Sequence, residues 1–140
     1  MPRRHGQAPH LYVVDAVAAR IETTLELADG PGAVAVTPDG SRVLTTSFNF
    51  TYWAPNPELR QGSCQPLDPV TLRLGPSIPV GRFPLNVIAS ADSSTAYVSN
   101  YQDNSVSVID LQAMEVTTTF EVGSGPHGLA YLDASPASTS

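Results

Sequence analysis

Three histidines, one cysteine, thirteen acidic residues and many serines are the side chains here that could move protons, attack carbonyls or hold a metal. Their spacing does not gather them. No nucleophile-elbow pattern and no metal-ligand spacing joins serine, histidine and aspartate. His5 and His10 stand five residues apart in an N-terminal segment with no carboxylate partner nearby, which reads as a tail. Cys64 is alone, closes no disulfide within the chain, and reads as a small buried hydrophobe. No cofactor, no metal and no catalytic residue is expected.

Two other features could make a contact surface. Phe48, Phe50, Tyr52 and Trp53 gather four aromatics into six residues, followed by Pro55 and Pro57, whose fixed φ would stiffen a loop. Aromatics on a loop carried by a rigid sheet offer large contact area at small entropic cost. Alternate residues of the same run could instead extend a strand and cap a hydrophobic face. Packing suits Phe48 and Phe50, and contact suits Tyr52 and Trp53. Arg60 and Arg82 are candidates to flank such a surface. His127, which follows Pro126, forms a second candidate with Asn86 and Arg82.

Composition bounds these readings. At 140 residues the chain has room for one core, and such a fold removes about 70% of its unfolded surface from water. Apolar residues make up 41% and charged residues 14%, so hydroxyl and small side chains must cover much of the surface. A formal charge of -6 opposes binding to phosphate backbones, and Arg3 and Arg4 form the one basic pair. Nucleic acid is not an expected partner. Asp15 interrupts the apolar run that follows Arg3 and Arg4, so no signal peptide is read there. No apolar stretch has the length of a membrane span.

The elements that would position these residues come from a repeat. LYVVD followed by RIETTLELADGP near the start matches SVSVID followed by MEVTTTFEVGSGP near the end. Superposing Asp110 on Asp15 aligns Val116 with Ile21, Phe120 with Leu25, Val122 with Leu27, Gly125 with Gly30 and Pro126 with Pro31. A middle copy, PLDPVTLRLGPSIPVGRFP, sets Asp68 and Pro84 42 residues before Asp110 and Pro126. The interval from Asp15 to Asp68 is longer, at 53 residues, and the excess falls in FNFTYWAPNPELRQGSC, an insertion near 49–62. A period near 40 residues made of strands alone is the signature of β-propeller blades, each a four-stranded antiparallel sheet.

Period two supports the strands. Val116, Thr118, Phe120 and Val122 are expected on one face, as are Ile21, Thr23, Leu25 and Leu27. AVAV at 33–36 and NVIA at 86–89 are small and apolar, which suits inner strands with little space near an axis. PDGS at 38–41 is a hairpin signal in which Gly40 can take a positive φ. The equivalent ADSS has Ser93 there, so that turn must change geometry or bear about 1 kcal/mol of strain. Asp15, Asp68 and Asp110 each close a third strand, where a carboxylate can accept N–H groups of the following turn.

Tyr97-Val98-Ser99-Asn100, Val106 to Asp110, and Gly125-Pro126-His127-Gly128-Leu129-Ala130 resemble the YVTN family of β-propeller repeats, whose tetrapeptide Tyr97 to Asn100 nearly reproduces. LTTS at 44–47 stands in its place in the middle copy. The resemblance implies an often extracytoplasmic protein, and related propellers include lactone hydrolases and subunits of periplasmic redox enzymes. The expected architecture is an all-β partial propeller of about two and three quarter blades with little or no helix: blade parts at 11–28, 33–80, 85–122 and 127–132, between a flexible segment at 1–10 and a tail at 133–140. So few strands cannot close a ring; a fragment of a longer propeller, copies completing one another, or an open marginal array are the competing explanations, and a fragment or truncated paralogue is the expected one. The expected function is a non-catalytic binding or assembly scaffold whose partners are itself or further blades. A propeller hydrolase, or a redox-enzyme subunit, is the alternative.

Overall fold

The computed structural model describes residues 10–27, 30–48, 55 and 61–132. Ten strands follow chain order: β1 His10–Asp15, β2 Arg20–Glu26, β3 Gly30–Val36, β4 Val43–Phe48, β5 Gln61–Leu67, β6 Ile78–Arg82, β7 Pro84–Ala89, β8 Thr95–Asn100, β9 Ser105–Asp110 and β10 Glu115–Glu121. β1 and β2 form a two-stranded sheet, while β3–β6 and β7–β10 form two four-stranded sheets, each ordered as in the chain. All pairs are antiparallel. A single 3-10 turn, Tyr101–Asp103, is the helical element among the described residues. It hands over to Asn104 in the left-handed region, φ 51°, which closes the β8–β9 hairpin.

Three hairpins share one chemistry. The Oδ1 atoms of Asp15, Asp68 and Asp110 each accept the N–H groups two and three residues onward, at 2.8 to 3.2 Å. Each turn then ends on a left-handed residue at the same repeat position, Ala19, Leu72 or Met114. A second pair of turns repeats likewise. Asp39 Oδ1 accepts from Thr37 Oγ1, Ser41 N and Ser41 Oγ, and Asp92 Oδ1 accepts from Ser90 Oγ, Ser94 N and Ser94 Oγ. These bonds hold both carboxyls at about 2, well below their ordinary value. Ser93 adopts φ 62° where Gly40 has 73°, and its hydroxyl accepts the Asp39 N–H of the other sheet at 3.0 Å. The strain of that turn is thus offset by a bond between sheets.

The core lies between the two four-stranded sheets. Leu44, Cys64, Ile78 and Val80 on one face meet Val87, Ala96, Val98, Ile109 and Leu111 on the other. Small residues, Ala33, Ala35 and Ala89, pack beside them where the inner strands β3 and β7 run against each other. Burying a side chain such as Ile109 stabilises the fold by about 2 kcal/mol. The far face of β3 has no such cover: Val34 and Val36 are exposed.

Register corrects two expectations. Val116 pairs with Ile109 and Thr118 with Val108, so Thr117 is an extra residue, a bulge. Val116 therefore shares the core face with Ile109, whereas Thr118 and Phe120 share the opposite face with Val108 and Val106. The same shift at Glu22 separates Ile21, paired with Val14, from Thr23 and Leu25. Unbroken alternation fails at both bulges because one added residue reverses the facing of everything after it. The second correction concerns 127–132, expected as an inner strand. No strand forms there, because among the described residues nothing lies beside it to complete a ladder. The segment packs on sheet β7–β10 instead, with Tyr131 stacked on Tyr97 at 6.2 Å and the Ser99 hydroxyl donating to the His127 carbonyl at 2.8 Å. Strands also begin earlier than expected, β3 at Gly30 and β7 at Pro84, and β6 runs on to Arg82.

Candidate binding surface

The crossover from β6 to β7 reads Gly81-Arg82-Phe83-Pro84, and each residue before the proline is tied to the β8–β9 turn. The Gly81 N–H donates to Asn100 Oδ1 at 3.0 Å, the Arg82 N–H to Asp103 Oδ2 at 2.8 Å, and Phe83 O accepts the Tyr101 N–H at 2.9 Å. The Arg82 guanidinium also pairs with Asp103 Oδ1. A Cβ on Gly81 would lie 2.6 Å from Asn100 Cγ, so glycine is required for this approach.

Asn100 is fully buried and fully used. Its Oδ1 takes the Gly81 N–H while its Nδ2 donates to Ser105 Oγ at 3.2 Å and Ser107 Oγ at 2.9 Å. One amide thereby ties the end of β8 to β9 and to the preceding sheet. The neighbouring hydroxyl position works in the other direction. Thr46 Oγ1 accepts the Ala33 N–H at 2.9 Å and donates to the Pro84 carbonyl at 3.3 Å, as Ser99 donates to the His127 carbonyl.

Phe83 adopts φ 56°, costly for a bulky residue, at the repeat position where Gly125 takes 63°. Its ring stacks on Phe48 with centroids 5.0 Å apart and planes 5° from parallel, and lies 6.0 Å from the half-exposed ring of Tyr101. The result is an aromatic ledge beside the Arg82–Asp103 pair, at the end of β4 from which the insertion departs. Sequence reasoning singled out Arg82 and Phe48 here and missed Phe83, Tyr101 and Asp103. The missing signal was visible as a phenylalanine standing where the other copies have Gly30 and Gly125.

Tyr52 and Trp53, with Phe50 and Arg60, lie outside the described residues, as does His5. Asn86 bonds locally, its Oδ1 accepting the Val87 N–H at 2.9 Å, and it pairs across the ladder with Ser99. Ser99 thus stands between Asn86 and the main chain of His127, whose side chain is exposed. Arg82 is committed to Asp103 rather than to either. Pro31 lies near the start of β3 opposite Ser47 and Pro84 opens β7 opposite Asn100, while Gly125 and Pro126 follow β10, where the Gly125 N–H donates to Asn104 Oδ1 at 2.9 Å. Among the described residues no group of three or more His, Cys, Asp or Glu is placed to hold a metal ion. Burial pushes the Cys64 thiol up to about 12, which removes it as a nucleophile. Stacking rings and a neutralised ion pair suit recognition of apolar or aromatic groups better than bond breaking.

No family model and no curated protein matches the chain. Among solved structures it is similar to hydrazine synthase of Kuenenia stuttgartiensis, with 26% identity and a TM-score of 0.70 over 84% of this chain and 31% of that one. It is also similar to the Dos1 propeller, with 15% identity and a TM-score of 0.66 over 85% of this chain and 29% of that one. The chain spans less than a third of the length of either. With sheets that meander in chain order, the chain is an all-β partial propeller of antiparallel four-stranded blades.

Proposed function

We propose that this chain is a propeller segment of the YVTN kind that acts as a non-catalytic binding scaffold, with the ledge of Phe83 and Tyr101 as its contact surface and Tyr52 and Trp53 of the insertion as further contact residues. The observation that carries this reading is Phe83: a ring is kept at a left-handed backbone angle that the repeat-equivalent Gly125 also adopts, and it is stacked on Phe48 beside the half-exposed Tyr101. Backbone strain retained beside an accessible aromatic is a mark of a functional surface.

The test is selection of ligands from a random-peptide display library on the full chain, followed by calorimetric titration. Binders should be rich in apolar or aromatic residues and lose about tenfold or more in affinity on Tyr101→Ala, Trp53→Ala and Phe83→Gly. Phe83→Gly removes about 1 kcal/mol of backbone strain as well as the ring, so folding is expected to survive it. Binders indifferent to all three substitutions would overturn the reading.

The similarity to a synthase favours a second reading, in which the segment is part of a larger enzyme. Lactone hydrolysis by the chain that depends on added metal and on His127 would support a catalytic role instead.

A further inference from the structure

The two ends of this array carry the two halves of an interface that the molecule already makes once. Sheet β3–β6 presents Leu44, Cys64, Ile78 and Val80, and sheet β7–β10 answers with Val87, Val98, Ile109 and Val116. The repeat register carries the first set onto Tyr97, Val106, Phe120 and Val122, which line an open groove of about 280 Å3 on the far face of β7–β10. It carries Ile109 and Val116 back onto Val14 and Ile21 of the β1–β2 hairpin.

Within the groove Val106 is already buried, at 4%, whereas elsewhere along the outer strands exposure follows the presence of a neighbour. Ile78 and Val80 are 3% and 5% exposed, whereas Phe120 and Val122 are 48% and 36%. Ile109 is fully buried, whereas Val14 and Ile21 are 57% and 58% exposed. The bulge at Glu22 matches that at Thr117, so the hairpin presents Val14 and Ile21 on one face as β9 and β10 present Ile109 and Val116.

We infer that the occupant of the groove is the β1–β2 hairpin of a second copy, joined head to tail. Residues 127–132 already cover part of the groove through Tyr131 and the His127 carbonyl, in the manner of β7 on sheet β3–β6. The part lined by Phe120 and Val122 corresponds to the surface that β9 and β10 cover internally, and the hairpin is the repeat equivalent of those two strands. A composite blade forms, with 127–132 of one copy inside and β1–β2 of the next outside. The place of its second strand is unfilled, so the joint is weaker than the internal one. The contact is heterologous and leaves a free head and a free tail to propagate. Each copy carries a formal charge of -6, so added salt tightens the joint by screening repulsion and favouring apolar burial.

Sedimentation velocity on the full chain across a wide concentration range tests this. The wild type should associate, more strongly at high salt. Val14→Glu with Ile21→Glu blocks the head, Phe120→Glu or the milder Val122→Lys blocks the tail, and each should raise the concentration needed by about tenfold or more. Mixing head-blocked with tail-blocked copies should restore pairing and stop at the dimer, because no further free ends match. Circular dichroism and urea midpoints confirm that each variant folds. A wild type that stays monomeric, blocked variants that associate undiminished, or a mixture that does not pair would overturn the inference.

Discussion

Gly81 and Gly123 occupy the same place in successive repeats, yet a methyl group added to the first would strike the Asn100 side chain and one added to the second would meet nothing within 4 Å. The difference is the neighbour: Gly81 has a following sheet with an asparagine at the end of its second strand. Gly81→Ala is expected to destabilise the chain by about 2 kcal/mol, the usual cost of forcing atoms into a packed contact, while Gly123→Ala stays within about 0.5 kcal/mol of wild type. Urea denaturation of the two variants side by side checks this. Equal effects would remove the close approach as the cause.

The turns at Asp39 and Asp92 are expected to contribute to the loss of stability in acid. Both folded carboxyls titrate at about 2, against an ordinary value of 3.8. A depressed folded pKa gives stability that is complete above the unfolded value and is lost as pH falls from about 4 towards 2. The first cause is the hydroxyl bond from Ser41 at Asp39 and from Ser90 at Asp92. Asp39→Asn and Asp92→Asn should each lower the unfolding midpoint at neutral pH and flatten its fall across that acid window. Midpoints that fall as steeply as those of the wild type would show that these carboxylates do not govern it.

Ala19, Leu72 and Met114 hold the same left-handed position in three hairpins, at φ 55°, 59° and 58°. Met114 packs against the core, but Ala19 is exposed and gains nothing there from its side chain. Ala19→Gly is therefore expected to stabilise the β1–β2 hairpin by about 0.5–1 kcal/mol. Amide hydrogen exchange across residues 10–26 should slow. Faster exchange would mean that the unfolded-state entropy of glycine outweighs the relief of strain.

The Cys64 thiol is fully buried between the sheets and lifted to about 12 by desolvation. A disulfide reagent should react with it only through opening of the fold, so the rate should climb with urea in step with unfolding. Rapid reaction in native buffer would contradict this burial.

Local chemistry was the part of the structure legible in sequence. The period-two runs, the aspartate turns and the small inner strands depend on neighbours within a few residues, and one copy could be checked against another. The bulges were not legible, because Thr117 and Glu22 look like ordinary alternating residues until a partner strand fixes the register. Nor was the tie between Gly81 and Asn100, which joins different sheets across 19 residues of chain. Asn100 could be marked as a repeat residue, but its three partners appear only once two sheets meet. Of the candidate contact residues, Arg82 is placed beside an aromatic ledge, while Asn86 and His127 gather around Ser99 on the open face of β7–β10. Phe83 escaped notice because its significance is a backbone angle.

Thr46 and Ser99 grip carbonyl oxygens of the chain that follows, at Pro84 and at His127, and touch no side chain in doing so. A fastening of this kind is blind to residue identity. Leucine can follow Pro84 and histidine Pro126 without loosening the hold on the next segment. The positions just after each proline are thereby released from this one duty, and a lineage of such modules can rewrite them to suit new ligands while its scaffold stays put.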